Sequence, residues 1–538
     1  MNKINSSLFL LIFPIFFFIT GYIIKDAGGP YFLNYYDPSY VYLINSLNVM
    51  QFSSVGHFDH PGTTVQIFGA IILKLKFLSA NSNDEIVKEV FSNPEKYLEL
   101  INRCFVLLNS LALFLLGIFI FKTTKNIYLG LLLQLSPFVS YQIFYGLVIV
   151  APENFIVFAS ILLIGILIFF IFKIDPENPS LSCIIFCGLV FGFGTVTKLT
   201  FVPLWIIPFL LIKTIKNKVI FISSGVLTFL ILFLPAISNY KKFIGWIQTL
   251  FFTSKVHGTF DVNRFGISLY FDNIVTVFKQ DKLLLIIYFF MLINIIMGYS
   301  IRKIETENLQ FKKSRKVLIA IFIGITAQIL IITKNYAPYT QYYLIPSFML
   351  LVTGLYVSVS IFHQALKKYF QRISLNQIYM SITLILAGFA IVTIFNAYKE
   401  AVQFRDEAYK IRNLIKNDYK NELVIPSLMT ANEDCALAYM VFHDYGGANN
   451  KKYTDFLAGI LPTEIYYDFS NNFFTIPENI NIEKTIHEHK KIIVQLCNGA
   501  TLKPFTNFLK KRYNIDSINE KEILTNKNGE SIHEIEIK

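Results

Sequence analysis

Apolar runs of membrane-crossing length recur from Ser7 to about Asn396, and no other feature constrains this chain as strongly. A crossing helix needs about 20 apolar residues, and lipid offers no partner to backbone N–H or C=O groups, so each run must satisfy itself as a helix. The 538 residues are 54% hydrophobic, with 54 Phe and 30 Tyr, a balance that belongs to membrane proteins. After residue 396 the pattern changes to alternating charge, turn residues and short apolar segments. The expected architecture is a polytopic α-helical membrane region, residues 1–396, followed by a small C-terminal α/β soluble domain, residues 397–538.

Residues 7–24 read as an uncleaved first span. The outer segment 25–103 is too long for a turn, and its stripes at Ile86, Val87, Val90 and Phe91, then Tyr97, Leu98 and Ile101, predict juxtamembrane helices lying on the membrane. Residues 104–121 form the next span. Residues 127–172 exceed one span and break at Ala151-Pro152-Glu153-Asn154; residues 181–212 break at Thr195-Val196-Thr197-Lys198. With runs at 219–237, 283–300, 317–333, 343–362 and 378–395, the total is about eleven spans.

The net charge of +12 does not indicate nucleic acid, because the cations sit in short connections such as Lys122 and Lys125, or Lys213, Lys216 and Lys218. Placing those connections in the cytoplasm puts the N-terminus inside and the tail outside. The loop 238–282 is basic yet outward, with Lys241, Lys242, Lys255 and Arg264, which suits an anionic lipid head group. In the tail, strands are expected at 423–425 and 491–496 and a hairpin around Asn528-Gly529; Cys435 and Cys497 are candidates for a disulfide if the tail faces an oxidising compartment.

The densest polar set beside the membrane is Asp37-Pro38 together with Gly56-His57-Phe58-Asp59-His60-Pro61-Gly62. Asp37-Pro38 followed by Tyr40, Val41, Leu43, Ile44 and Leu47 is a helix start, and a capping carboxylate is also held firmly enough to act as a base. His57, Asp59 and His60 suit structural hydrogen bonds; the alternative is a divalent metal, with His57, Asp59, His257 and Asp261 as ligands. Glu153 is either a helix-dipole acid behind Pro152 or a functional carboxylate, and Lys198 either snorkels or turns inward to a phosphate.

Taken in order, these elements resemble the integral-membrane glycosyltransferases of the GT-C fold, the broad group that includes protein O-mannosyltransferases and aminoarabinose transferases. The resemblance covers approximately residues 7–396. It rests on an acid opening the helix after the first span (Asp37), a His-Pro element closing the same loop (His60-Pro61) and a Pro-acid corner (Pro152-Glu153). A Gly-rich span ending in Thr-Lys (Gly188, Gly192, Gly194, Thr197, Lys198) completes the set. The sequence departs from the group's pattern in having Asp37-Pro38 where an acidic pair is common and His60-Pro61-Gly62 where His-Pro-Pro is common.

The resemblance implies an inverting enzyme of a bacterial inner membrane that moves a sugar from a polyprenyl-phosphate-linked donor to an extracytoplasmic glycan, lipid or protein acceptor. Asp37 would take or orient the acceptor proton, with Glu153 as a second catalytic carboxylate. Lys198, Arg264 or a metal would face the donor phosphate, and His57, Asp59, His60, His257 and Asp261 would support the site. The competing readings are a polysaccharide polymerase, a lipid-linked oligosaccharide flippase or transporter, and a non-catalytic scaffold. A transporter would place ionisable groups at mid-membrane and often repeats its halves, whereas this chain gathers them at one surface and shows no fixed repeat.

Overall fold

A computed structural model describes residues 8–33, 36–80, 82–173, 179–252, 267–300, 309–334, 338–365, 374–442, 445–461, 465–468, 473–475, 482–489, 491–513 and 517–537. The helices that position the site are α1 (Ile12–Gly28), α2 (Tyr36–Met50), α3 (Thr63–Lys76), α4 (Asn83–Ser92) and α5 (Pro94–Thr124). They continue with α6 (Ile127–Gln134), α7 (Tyr141–Leu147), α8 (Glu153–Phe172), α9 (Leu181–Thr197), α10 (Ile206–Leu211), α11 (Ile215–Phe233) and α12 (Tyr240–Phe252). After α13 (Ile267–Gln280), α14 (Lys282–Ser300), α15 (Leu309–Thr333) and α16 (Ile345–Ala365), helix α17 (Leu375–Asp418) carries the chain into the tail.

Local chemistry explains where several helices begin. The side chains of Ser82, Asn126, Ser180 and Thr214 accept from the backbone N–H groups of Glu85, Leu129, Cys183 and Asn217, and Ser374 with Gln377 forms a capping box at the start of α17. Buried amides join helices where no water can: Gln134 Nε2 donates to the carbonyls of Leu10 and Leu113, both at 2.9 Å. The glycines of α9 permit close helix contact, since a Cβ on Gly192 would strike the Gly225 carbonyl of α11.

Among the described residues, six helices are long and apolar enough to cross a membrane, or eight if each of two bent pairs is one span. The chain is a multi-pass membrane protein. Described portions of all the predicted apolar runs are helical, and the lower number reflects length: Leu181–Thr197 and Leu199–Leu211 are short, while Ile127–Phe138 with Tyr141–Leu147 bends by 72°. The predicted stripes of the outer segment face protein, not lipid. Ile86, Val87, Val90 and Phe91 of α4, and Tyr97, Leu98 and Ile101 of α5, all join the main core. Residue 103 lies inside α5, so the last part of the outer segment, from Pro94, and the span after it are one helix.

Residue 396 likewise lies inside α17. The tail that follows is a mixed sheet with strand order β1-β4-β6-β5, built from β1 (Leu423–Pro426), β4 (Lys491–Leu496), β5 (Ile518–Thr525) and β6 (Ser531–Ile537). The short pair β2 (Tyr466–Asp468) and β3 (Phe473–Thr475) is a second, two-stranded ladder, tied to the end of β1 by a parallel bridge between Ser427 and Tyr467. Strand β1 runs parallel to β4, whereas β4, β6 and β5 pair antiparallel. Alternation along β4 covers both faces: Ile492, Val494 and Leu496 pack with Phe505 and Leu509, and Ile493 packs with Ile532 and Ile411 of α17. The hairpin at Asn528-Gly529 forms as the sequence predicts, with Gly529 at φ +87°. Two tail helices, α18 (Glu433–Phe442) and α19 (Asn450–Ile460), pack into the same core as the membrane helices. Cys435 and Cys497 are not joined by a disulfide.

Candidate active site

Three corners that are far apart in sequence meet at one end of the helical bundle. At the first, Asp37 is extended (φ −99°, ψ 110°) and α2 proper begins at Pro38, so the acid occupies the capping position that the Asp-Pro pair predicts. The loop before it is held by Glu95, at the start of α5. Its carboxylate accepts from the Tyr31 and Phe32 backbone N–H groups (2.7 and 3.1 Å) and from the Tyr40 hydroxyl (2.7 Å). Asp37 itself is exposed.

The second corner, Ala151-Pro152-Glu153-Asn154, is fixed by Asn154, whose side-chain amide donates to the carbonyls of Gly146 (3.1 Å) and Ile149 (2.8 Å). The backbone N–H of Val150 donates to Ser39 Oγ at 3.1 Å, which ties this corner to the Asp37-Pro38-Ser39 corner. Glu153 is buried, and its carboxylate pairs with Lys198.

Lys198 ends α9 and forms the third corner. It is 3% exposed, and its ammonium lies 4.5 Å from the ring centroids of both Tyr342 and Tyr343, a cation–π cradle over the Glu153 pair. The His60-Pro61-Gly62 turn runs beside it as a short antiparallel bridge. The Leu199 N–H donates to the His60 carbonyl (3.2 Å), and the Gly62 N–H donates to the Val196 carbonyl (3.1 Å). Gly62 has φ +67°, and a Cβ there would strike the Tyr42 ring and hydroxyl, so the turn requires glycine on both counts. The predicted His-Pro and Thr-Lys elements are therefore direct neighbours, reinforced by Thr64 Oγ1 and Thr197 Oγ1 at 2.9 Å.

Aromatic rings line the space between the corners. His57 lies edge-on to Tyr42 (5.2 Å) and Tyr445 (5.5 Å); His60 lies edge-on to Trp246 (5.7 Å) and Tyr343 (6.3 Å). The two histidine rings are 6.5 Å apart. Asn45 Oδ1 accepts from the N–H groups of Gly56 and His57, and Gln66 donates to the His57 carbonyl, which pins the loop. The Tyr42 hydroxyl is fully buried and has no hydrogen-bond partner among the described residues. Burial, and then the charges of Glu153, Asp59 and Asp37, push its titration well above the ordinary range, so all three carboxylates act on one spot.

The structure thus brings together Asp37, His57, Asp59, His60, Glu153 and Lys198 around Tyr42 of α2. His257, Asp261 and Arg264 lie outside the described residues. Among the described residues no group of three or more His, Cys, Asp or Glu side chains is arranged to hold a metal ion. Sequence reasoning missed Tyr439, whose hydroxyl donates to Asp37 Oδ2 at 3.2 Å, and Glu95, Tyr42, Tyr343, Trp246 and Tyr445. Tyrosine number alone does not single these out; the glycine at 62 was the one local sign of a close neighbour.

Residues 85–238 match the family model described as dolichyl-phosphate-mannose-protein mannosyltransferase. The match supports a GT-C glycosyltransferase. It takes in the Pro152-Glu153 and Thr197-Lys198 corners and leaves the Asp37 loop outside. Among solved structures, the chain is similar to the one titled "Crystal Structure of ArnT from Cupriavidus metallidurans bound to Undecaprenyl phosphate", with 9% identity, a TM-score of 0.48 and 98% of each chain covered. No curated protein matches.

Proposed function

We propose that the protein transfers a sugar from a polyprenyl-phosphate-linked donor to an acceptor at the outer face of a bacterial inner membrane, with inversion at the sugar carbon and with the tail on that same outer side. The observation that carries this reading is the convergence of the Asp37, Glu153 and Lys198 corners at one end of the bundle, where a lipid-borne head group can meet a water-borne acceptor. Asp37 is the exposed carboxylate of the set and acts as the base that takes the acceptor proton.

The buried Glu153–Lys198 pair holds the floor beneath it. Glu153 fixes the pair, and Lys198 offers its remaining N–H bonds to the donor phosphate as negative charge develops there. The edge-on aromatic lining of His57, His60, Tyr343 and Trp246 suits the apolar face of a sugar ring, and the orphaned Tyr42 hydroxyl is a polar atom that a substrate oxygen would satisfy. Arg264 and a divalent metal remain part of the proposal as further partners of the phosphate.

The test compares surface glycans and accumulated polyprenyl-linked sugars in cells that carry the wild-type gene, a deletion, or Asp37→Asn. The deletion and Asp37→Asn strains should both lose a glycan and accumulate the lipid-linked sugar. Normal glycans with Asp37→Asn at normal protein level would remove Asp37 as the base.

A further inference from the structure

We infer that the C-terminal part of the chain completes this active site, with Tyr439 as the positioning residue that orients the Asp37 carboxylate and favours its ionised form. The inference rests on the reading of Asp37 as the base and adds a task for a segment some 400 residues further along the chain. Three observations carry it. The first is the contact itself: the Tyr439 hydroxyl donates to Asp37 Oδ2 at 3.2 Å, and a donor to a carboxylate favours the charged form.

The second is how closely the turn after α18 lies against the site loop. Gly447 adopts φ +55°, and a Cβ there would meet the Ser54 carbonyl and the Gly56 N–H at 2.5 and 2.6 Å; the Ala448 N–H donates to the Ser54 carbonyl at 3.2 Å. The Tyr445 ring bridges Tyr439 (5.7 Å) and His57 (5.5 Å), so the tail forms one wall of the aromatic lining.

The third is that α18 is clamped on both sides, which a positioning role needs. Behind it, the buried side chain of Asn48 in α2 donates to the Gly446 carbonyl (2.7 Å) and accepts from the Tyr453 hydroxyl (2.7 Å) and the Asn449 amide (2.9 Å). Ahead of it, the Ala431 N–H donates to Glu530 at 2.5 Å, and the hairpin that carries Glu530 is bonded to α17 through Asn528 to the Phe404 carbonyl (2.8 Å). Through these bonds, α17 fixes the hairpin, the hairpin fixes the start of α18, and α18 presents Tyr439 to Asp37. Other titratable groups around this spot among the described residues include Tyr42, Tyr343, Tyr445, His57, Asp59 and Glu153.

The experiment uses the full-length protein in a deletion host and reads the pool of polyprenyl-linked sugar at about pH 4.5 and about pH 8 in the medium, the lower value being chosen close enough to the ordinary carboxylate range for a shift of roughly half a unit to one unit to change the ionised fraction about twofold. Without the Tyr439 hydroxyl the carboxylate protonates more readily, so Tyr439→Phe should move the acid limb of transfer upward by roughly half a unit to one unit. The expected result is that the variant accumulates more donor than wild type, by a larger factor at the lower pH than at the higher. The ratio of the two pools within one strain cancels differences in protein level, so a poorly accumulating variant still reports. A Tyr439→Phe ratio equal to that of wild type, in a host where Asp37→Asn blocks transfer, overturns the tail inference and leaves the base standing. Normal transfer by Asp37→Asn removes the base and this inference with it.

Discussion

The joint between α8 and α9 makes the sharpest structural prediction. Glu153 and Lys198 pair with side chains 5% and 4% exposed, so neither charge has water to fall back on and screening by solvent gives no discount. Replacing Lys198 by Met leaves the Glu153 carboxylate buried without its cation, and removal of one partner from such a pair costs about 3–5 kcal/mol. Glu153→Gln strands the ammonium in the same way, softened by the Tyr342 and Tyr343 rings that also face it. The double variant removes both charges and should recover much of the loss, with a coupling of at least ~2 kcal/mol. Thermal unfolding of the four detergent-solubilised proteins, followed by loss of the monodisperse peak, measures the cycle. Additive single effects, or singles that cost under about 1 kcal/mol, would show that the pair is not the buried joint described here.

The tail offers two further tests. Burial pushes the Glu530 carboxyl up to about 7 from its ordinary 4.5, so the folded protein holds a proton there that the unfolded chain releases. Stability from this group is present at low pH and falls as pH rises from about 4.5 to about 7, by on the order of 3 kcal/mol. Glu530→Gln should flatten that stretch of the stability profile, and an identical profile in the variant would contradict the assignment. Asn48→Ala removes three hydrogen bonds between α2 and the tail, worth about 2–3 kcal/mol in a buried setting. Amide exchange across residues 446–453 should accelerate in that variant while the β4–β6 ladder stays protected; unchanged exchange at 446–453 would mean that the clamp lies elsewhere.

Much of the fold was legible because it rests on local pattern. The apolar runs are helices, the stripes at 86–91 and 97–101 lie on helices α4 and α5, and the strands expected at 423–425 and 491–496 and the Asn528-Gly529 hairpin form where turn chemistry and alternation put them. Direction of packing was less legible. An amphipathic stripe looks the same whether its apolar face meets lipid or protein, which is why the stripes at 86–91 and 97–101 suggested the membrane surface. Breaks were misleading for a related reason: charge and polarity at 396 and 103 change what a helix faces without ending it, and α17 and α5 run on through both.

The site divides along the same line. Asp37-Pro38, His60-Pro61, Pro152-Glu153 and Thr197-Lys198 stand out locally as caps and corners. Which of them touch depends on tertiary contacts that periodicity does not encode, and the Ser39–Val150 bond, the bridge from Pro61 to Lys198 and the Glu153–Lys198 pair supply those contacts. Tyr439 carries no mark at all in the sequence, because a tyrosine in an apolar helix reads as core, and only its position against Asp37 gives it a task.

The central claim is that Asp37 acts as the base in transfer from a lipid-linked sugar, and the most direct measurement works whichever sugar the lipid carries. Polyprenyl lipids extracted from deletion cells, which should contain the accumulated donor, are incubated with membranes from the same cells and with purified full-length wild type or Asp37→Asn. Wild type should consume the accumulated donor, and Asp37→Asn should slow its consumption at least ~100-fold. Equal consumption by the two proteins would contradict it.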